Sequence, residues 1–381
     1  MLILAAILAI LVYGMIAAML GTIMPTFNLT MEQNGNVALA QALGLVIASV
    51  SAGPLIDNKG KKAGLLAGLA LIAAALFSLP SAGGYRQIMA CLFVLGFGGG
   101  IIVTAANALV SDISEQRRAS TLNLLNLFFG LGGLATPFIA ANMLSGNAVK
   151  LCYLTAVLAA GTLMVHSLTA MPPPTGDRGF KASEAGELLN KPALYLLSLF
   201  LFLYVAAEVG VWNWLASYLI SQGIEKARAL NILSLGFALG LLVGRVVVSR
   251  ILIRIAASTV TLAASVLMAV MTYLMLETTD PAIAWVAVFC AGLAMAPVFP
   301  TTLAMVGDAF PRMTATAMGI AITCGWLGLA VSSPIIGAIA GTDSGNLKTA
   351  LLVLPVASVF MVAVNLVLRP MLQKVAAASA G

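Results

Sequence analysis

The chain has 381 residues, of which 61% are hydrophobic and only 8% are charged. Soluble globular domains carry roughly 25% charged residues, so this composition excludes a soluble fold and predicts an integral membrane protein. The formal net charge of +6 comes from single cations scattered between apolar segments, which excludes a basic patch for nucleic acid.

Twelve membrane-spanning helices are predicted along the chain. A helix needs about 20 apolar residues to cross the hydrocarbon core, and charges, prolines and glycines divide the sequence into segments of that length. Met1 runs directly into the first segment without a basic region or a cleavage site, so we expect that segment to be retained. The predicted helices, 1 to 12 in chain order, are 2–27, 37–56, 62–80, 86–111, 119–143, 150–171, 191–221, 227–249, 256–276, 283–307, 315–341 and 348–369.

The distribution of Lys and Arg predicts the orientation. If the N-terminus lies inside, 14 of the 19 cations fall on the inner side, and cytoplasmic enrichment of Lys and Arg is the rule for such proteins. We therefore expect a multi-pass protein of the cytoplasmic (inner or plasma) membrane, in contact with its lipid, with both termini in the cytoplasm.

The longest polar stretch lies near the midpoint and predicts two six-helix bundles, 1–171 and 191–381, joined by a cytoplasmic linker at 172–190. The halves also repeat at a spacing of 196 positions. The matched pairs are Asp112 and Asp308, Ala119 and Ala315, and Gly132 and Gly328, with Pro137 answered by Pro334 after one extra residue. Parallel repeats of six spans, with a substrate site near the midplane between them, are typical of secondary transporters.

The loop between predicted helices 2 and 3 reads Gly53-Pro-Leu-Ile-Asp57-Asn-Lys-Gly-Lys61-Lys62. It resembles the signature loop of the major facilitator superfamily. The resemblance implies a latch in which the acid meets helix ends and cations on neighbouring helices. In the second half the corresponding turn is reduced to Gly244-Arg245 and then Arg250, without an acid. The predicted gating residues are Gly53, Asp57, Lys61, Asp112 and Arg118.

Short strings on helices 1, 4, 5, 7 and 10 resemble the fucose and hexose symporter branch of that superfamily and its glucose-transporter-like relatives. They are Pro25-Thr26-Phe27, Thr104-Ala105-Ala106-Asn107, Leu122-Asn123-Leu124, Tyr204-Val205-Ala206-Ala207-Glu208 with Trp212, and Phe299-Pro300-Thr301. In the alignment with the fucose symporter, its two first-half membrane acids fall on Gly21 and Val103. The acid of this chain is instead Glu208 on helix 7, where the fucose symporter has an amide.

Glu208 is the one acid predicted inside a span rather than at a span end. A charged side chain at the bilayer centre costs roughly 2.5–3.5 kcal/mol, so we expect Glu208 to face a cavity or to carry a proton. The alternative is a glutamate that hydrogen-bonds between helices for packing. Tyr204, Glu208 and Trp212 are spaced four apart and share one helical face. A carboxylate beside aromatic rings suits a pyranose.

The remaining candidates for the substrate site are amides and aromatic residues, which bind hydroxyl groups or form an apolar wall. Amides in membranes also join helices to one another, and this alternative stays open for each of them. The full predicted substrate site is Gln41, Asn107, Asn123, Asn126, Tyr204, Glu208, Trp212, Asn213, Phe299 and Trp326.

These features predict an all-α major facilitator fold of twelve transmembrane helices in two pseudo-symmetric bundles. The predicted function is secondary active transport of a small molecule, a hexose-like sugar, coupled to H⁺ or Na⁺ through Glu208. We expect no further cofactor, no resident metal, no enzymatic activity and a monomer. The alternatives are an exporter of amphipathic compounds and an uncoupled facilitator. A non-transporting receptor or an embedded enzyme has no supporting motif.

Overall fold

The computed structural model describes residues 2–113, 118–171, 190–252, 254–278, 280–310, 314–342 and 344–380, and side chains within them except at 53–55, 57, 58, 111–124, 249, 314–316, 344 and 373–380. The described residues contain twelve helices long and apolar enough to cross a membrane. They are α1 (Leu2–Thr26), α2 (Met31–Ala52), α3 (Lys59–Ser81), α4 (Tyr85–Val110), α5 (Leu125–Asn142), α6 (Ala148–Leu168), α7 (Pro192–Ser221), α8 (Lys226–Val248), α9 (Ala257–Glu277), α10 (Pro281–Ala309), α11 (Ala317–Ala340) and α12 (Leu347–Leu372). The predicted all-α, twelve-helix class is confirmed.

The start of α2 differs from the prediction, because this helix begins at Met31 rather than at 37. Thr30 and Gln33 form a capping box, because the Thr30 hydroxyl accepts from the Gln33 backbone N–H at 3.1 Å. In return, the Thr30 backbone N–H donates to Gln33 Oε1 at 3.1 Å. This pair satisfies two free donors of the first turn, so the helix extends through a polar segment that hydropathy assigns to a loop.

The helical conformation between α2 and α3 is interrupted at a single residue. Helical structure runs from Met31 to Ser78, and Gly60 has non-helical angles of φ 85° and ψ 158° inside it. A positive φ of this size favours glycine, which has no Cβ to clash with the backbone. One of the two glycines of the predicted turn is therefore required by the backbone conformation.

Glycine contacts repeat between the first half (α1–α6) and the second half (α7–α12). A Cβ on Gly44 of α2 would clash with the Phe93 carbonyl of α4, and a Cβ on Gly240 of α8 would clash with the Phe289 carbonyl of α10. Gly240 lies 196 positions after Gly44, and Phe289 lies 196 positions after Phe93. Small residues let membrane helices approach this closely, so the internal repeat is also a repeat of packing.

Hydrogen bonds join the two halves on the side opposite the chain ends. An even number of spans places both chain ends on one side, which we call the terminal side, and the other is the opposite side. At the opposite side, Asn142 Nδ2 of α5 donates to Asn231 Oδ1 of α8 at 2.7 Å, and Asn231 Nδ2 donates back at 3.2 Å. Lys226 Nζ donates to the Gly146 carbonyl at 2.7 Å. These bonds close the opposite side.

Candidate functional site

Glu208 lies in the middle of α7 with two hydrogen-bond donors on the same helical face. The side chains of Tyr204 and Trp212, one turn before and one turn after, interact with its carboxyl group. The Trp212 ring packs edge-on against Phe237 of α8, with centroids 5.0 Å apart and an angle of 78°. The predicted Tyr-Glu-Trp face is thus a cluster of interacting side chains.

This group lies at the junction of the two halves. A Cβ on Gly133 of α5 would be 3.1 Å from the indole Cη2 of Trp212, so the absence of a side chain there makes room for the ring. From α1, Tyr13 is close enough to interact with the charge of Glu208. Glu208 is partly exposed as a residue, whereas its carboxyl group is buried. Side chains from both halves therefore surround this group.

Arg245 of α8 is a charged neighbour of this group. It lies inside α8, within the predicted span 227–249, but it is not among the predicted substrate-site residues. At the repeat spacing of 196, Arg245 corresponds to Ser49 inside α2. The second-half positions that correspond to the signature loop come after Arg245 in the chain. Arg245 Nη1 donates to the Asn126 carbonyl of α5 at 2.8 Å, and its charge acts on Glu208.

The amides of the first half bond mainly to backbone groups. Gln41 Nε2 lies 3.5 Å from the Ile16 carbonyl of α1, and Asn107 Nδ2 donates to the Val103 carbonyl of its own helix at 2.7 Å. Asn126 has an exposed side chain, and its backbone carbonyl accepts from α8. The side chain of Asn123 lies outside the described residues.

The second-half candidates Phe299, Asn213 and Trp326 have different surroundings. Phe299 of α10 packs near Tyr204, with ring centroids 6.5 Å apart, so it adjoins the Glu208 group. Asn213 is buried, and its Nδ2 donates to the Ser333 hydroxyl of α11 at 3.1 Å. Its side chain therefore joins two helices of the second half. Trp326 carries a buried indole N–H that has no hydrogen-bond partner among the described residues, and it remains a free donor.

Two grooves on the described surface lie away from Glu208. One, of about 530 Å³, runs between α2 and α4 and is lined by residues including Asn36, Leu39, Tyr85 and Phe93. The other, of about 280 Å³, is an apolar groove between α5 and α8.

The family model of the Major Facilitator Superfamily matches residues 2–333 and 226–380. The chain belongs to the Major Facilitator Superfamily. Members are membrane transporters, so the predictions of a multi-pass membrane protein, of a small-molecule substrate and of no enzymatic role agree with the family. The orientation in the membrane stays a prediction.

Curated relatives of this superfamily member span most of its length. It is 24% identical to "Bypass of stop codon protein 6" of Saccharomyces cerevisiae, over 89% of this chain and 77% of that protein. It is 27% identical to a glucose/galactose transporter of Brucella abortus, over 72% of this chain and 71% of that protein.

Solved structures share the fold at low sequence identity. A mutant form of the nucleoside transporter NupG matches with a TM-score of 0.81 at 14% identity, covering 97% of this chain and all of that one. A mutant form of the Escherichia coli fucose:proton symporter FucP matches with a TM-score of 0.67 at 19% identity, covering 96% and 98%. The predicted resemblance to the fucose symporter branch is confirmed as a likeness of fold.

The predicted gating residues of the superfamily loop are only partly described. Lys61 is 6% exposed and therefore buried. The side chains of Asp57, Asp112 and Arg118 lie outside the described residues, as does any contact of Gly53. Lys62, next to Lys61, donates through Nζ to the Ser167 carbonyl at 2.8 Å at the end of α6. The latch among these residues stays a prediction.

Proposed function

We propose that this protein moves a hexose-like sugar across the membrane by alternating access, with transport coupled to H⁺ or Na⁺ through Glu208. The observation that carries the proposal is a buried carboxyl group that interacts with two aromatic side chains, Tyr204 and Trp212, at the junction of the halves. The relatives named as glucose/galactose and glucose/mannose transporters support a sugar as substrate.

The surroundings of Glu208 suit a neutral polyol. Aromatic rings from both halves lie beside the carboxyl group, and apolar walls with a few polar groups are common in small-ligand sites. The positive charge of Arg245 offsets the negative charge of Glu208, so a neutral substrate would meet a site with little net charge. An exporter of amphipathic compounds would carry lipophilic cations. For such a cation, the negative charge of Glu208 is already offset by Arg245.

We further propose that the protein lies in the cytoplasmic membrane as a monomer surrounded by lipid, with both termini in the cytoplasm. The excess of Lys and Arg on the terminal side supports this orientation. In that orientation the opposite side, closed by the Asn142 and Asn231 amides, faces outward.

Replacement of Glu208 in reconstituted liposomes tests the coupling. Glu208→Gln keeps the shape of the side chain but removes its charge and its proton site, so gradient-driven accumulation of sugar should disappear while sugar counterflow persists. Glu277→Gln is the matched control, because that acid is exposed and pairs with Lys348 at 3.0 Å on the surface. Accumulation that survives in Glu208→Gln would rule out coupling at this residue.

A specific observation also favours an uncoupled facilitator as second candidate. Tyr204, Trp212 and Arg245 all interact with the Glu208 carboxyl group, so this group has protein partners and needs no transported ion as a partner. A facilitator would equilibrate sugar without accumulation in the wild-type protein, whatever ion gradient is imposed. Thermal shifts across panels of sugars and of lipophilic cations separate both candidates from an amphipathic exporter.

A further inference from the structure

A groove lies between α2 and α4 at the opposite side of the molecule, on the surface of the first half. Its walls run from Asn36 to Leu43 on α2 and from Tyr85 to Phe93 on α4. At ~1.5 Å rise per residue the groove is about 10 Å long, roughly a third of the ~30 Å hydrocarbon core. Leu43 and, one turn further along α2, Ile47 are exposed apolar residues. The groove therefore faces the lipid of the leaflet on the opposite side.

Small residues give the groove its depth. At its inner end the two helices touch, because a Cβ on Gly96 of α4 would clash with the Gln41 carbonyl of α2. Towards the opposite side the groove opens between the helices, where Ala40 and Ala90 line the two walls with a methyl group each. The volume of about 530 Å³ lies within the roughly 300–1,000 Å³ of small-ligand pockets. The groove is therefore large enough for part of an apolar chain.

The mouth of the groove carries polar and charged groups from both helices. Asn36 and Tyr85 are its outermost lining residues, and neither side chain has a hydrogen-bond partner among the described residues. Glu32 lies one turn before Asn36 on the same face of α2, and Arg86 follows Tyr85 on α4. Both charged residues are exposed, and neither forms an ion pair within the part of the chain that the structure describes. An acid and a base thus stand on the two walls of the mouth.

This combination of groups matches one class of membrane lipid. A phosphate accepts charge-assisted hydrogen bonds from an arginine such as Arg86, and a primary ammonium group donates such bonds to a carboxylate such as Glu32. A choline headgroup has no N–H to donate, and an anionic headgroup without an ammonium group leaves Glu32 beside a negative charge. A zwitterion with a primary ammonium group therefore satisfies both walls, while its apolar tail suits the groove below.

We propose that the groove between α2 and α4 binds one acyl chain of a phosphatidylethanolamine-type lipid, with the phosphate at Arg86 and the ammonium group at Glu32. Asn36 and Tyr85 then lie at the level of the lipid ester groups, where their N–H and O–H groups donate to ester carbonyls. The site is distinct from the surroundings of Glu208, and the proposal does not depend on the transported substrate.

Lipid binding to the full-length protein in detergent, measured by native mass spectrometry, tests the proposal. The probes are phosphatidylethanolamine, phosphatidylcholine and phosphatidylglycerol with identical acyl chains, titrated alone and in competition. We expect one phosphatidylethanolamine molecule to bind about tenfold more tightly than either competitor, the effect of about one hydrogen bond to a charged group. Equal retention of the three lipids would reduce the groove to a general lipid contact and overturn the proposal.

Ala90→Phe tests the place of the acyl chain. Ala90 is exposed, so the larger ring fills the groove without entering the packed core, and we expect the tight phosphatidylethanolamine site to be lost. Val157→Phe is the matched control and should keep the site, because Val157 is 59% exposed on α6, away from the groove. Unfolding midpoints in lipid-free detergent identify the variants that remain folded. An unchanged affinity in folded Ala90→Phe would contradict the proposal.

The two charged residues are tested separately, and they decide the result if Ala90→Phe fails to fold. Arg86→Gln should weaken binding of phosphatidylethanolamine and phosphatidylglycerol alike, because both lipids contain the phosphate. Glu32→Gln should instead lower the preference for phosphatidylethanolamine over phosphatidylglycerol, since only the former has an ammonium group. Arg228→Gln, which removes an exposed cation at the same side of the membrane, should change neither. If the two groove variants bind the lipids as Arg228→Gln does, the proposal is wrong.

Discussion

Asn213 follows Trp212 directly on α7, yet the two side chains face different neighbours. Trp212 points to the junction of the halves, whereas Asn213 is buried against Ser333 of α11. Successive helical residues are separated by about 100°, so one position decides between a site residue and a packing residue. The amide at 213 is best understood through its interhelical hydrogen bond.

Asn213→Ala should therefore lower stability without changing sugar affinity. An interhelical hydrogen bond in a membrane contributes about 0.6 kcal/mol on average, so a small decrease in Tm is expected. The KM for sugar in liposome uptake should stay within about twofold of the wild type, as for a residue outside the binding interaction. Ser333→Ala should have the same effect on Tm, and a large rise in KM for Asn213→Ala alone would return this residue to the substrate site.

Among the described helices, α1 and α7 approach each other closely across the junction of the halves. A Cβ on Gly21 would overlap the Trp212 backbone carbonyl, so only glycine permits this separation. Gly21 is one of the two positions where the resemblance to the fucose symporter branch implies a membrane acid, and the close contact with α7 leaves no space for a side chain there.

Gly21→Ala should separate α1 from α7 and destabilise the closed arrangement. Overpacking costs typically 1–3 kcal/mol, and here the clash is with backbone, which cannot rotate away. Gly161→Ala in α6 is the control, because nothing lies within 4 Å of a Cβ there and removing a helical glycine stabilises by about 0.5–1 kcal/mol. Unfolding midpoints of the two variants should move in opposite directions, and equal midpoints would contradict the contact.

Helix positions follow from the sequence much better than contacts between helices do. Hydropathy predicts the spans because each must be apolar over the thickness of the bilayer. Arg245 escaped prediction as a site residue, since its partner is a backbone carbonyl on the other half, and any residue at 126 supplies one. The Asn142 and Asn231 pair was missed for a related reason, because two distant amides in loop-proximal positions carry no signal of contact.

For the whole molecule, the closed opposite side implies that transport requires the Asn142 and Asn231 pair to separate. In a background with the four native cysteines replaced by serine, we expect a short reducible cross-linker between Asn142→Cys and Asn231→Cys to stop sugar counterflow. Reduction should restore it, and each single cysteine variant should be unaffected. Full counterflow in the cross-linked protein would mean that the halves do not part at this end.

Sugar-driven proton movement tests most directly whether this transporter couples a sugar to an ion through Glu208. Sugar added to the outside of wild-type proteoliposomes, with no other gradient, should make the external medium more alkaline as protons enter with it. The same addition to Glu208→Gln proteoliposomes should produce no pH change although sugar enters. Uptake of sugar by the wild type with no movement of protons, or of Na⁺ in the parallel measurement, would contradict the coupling.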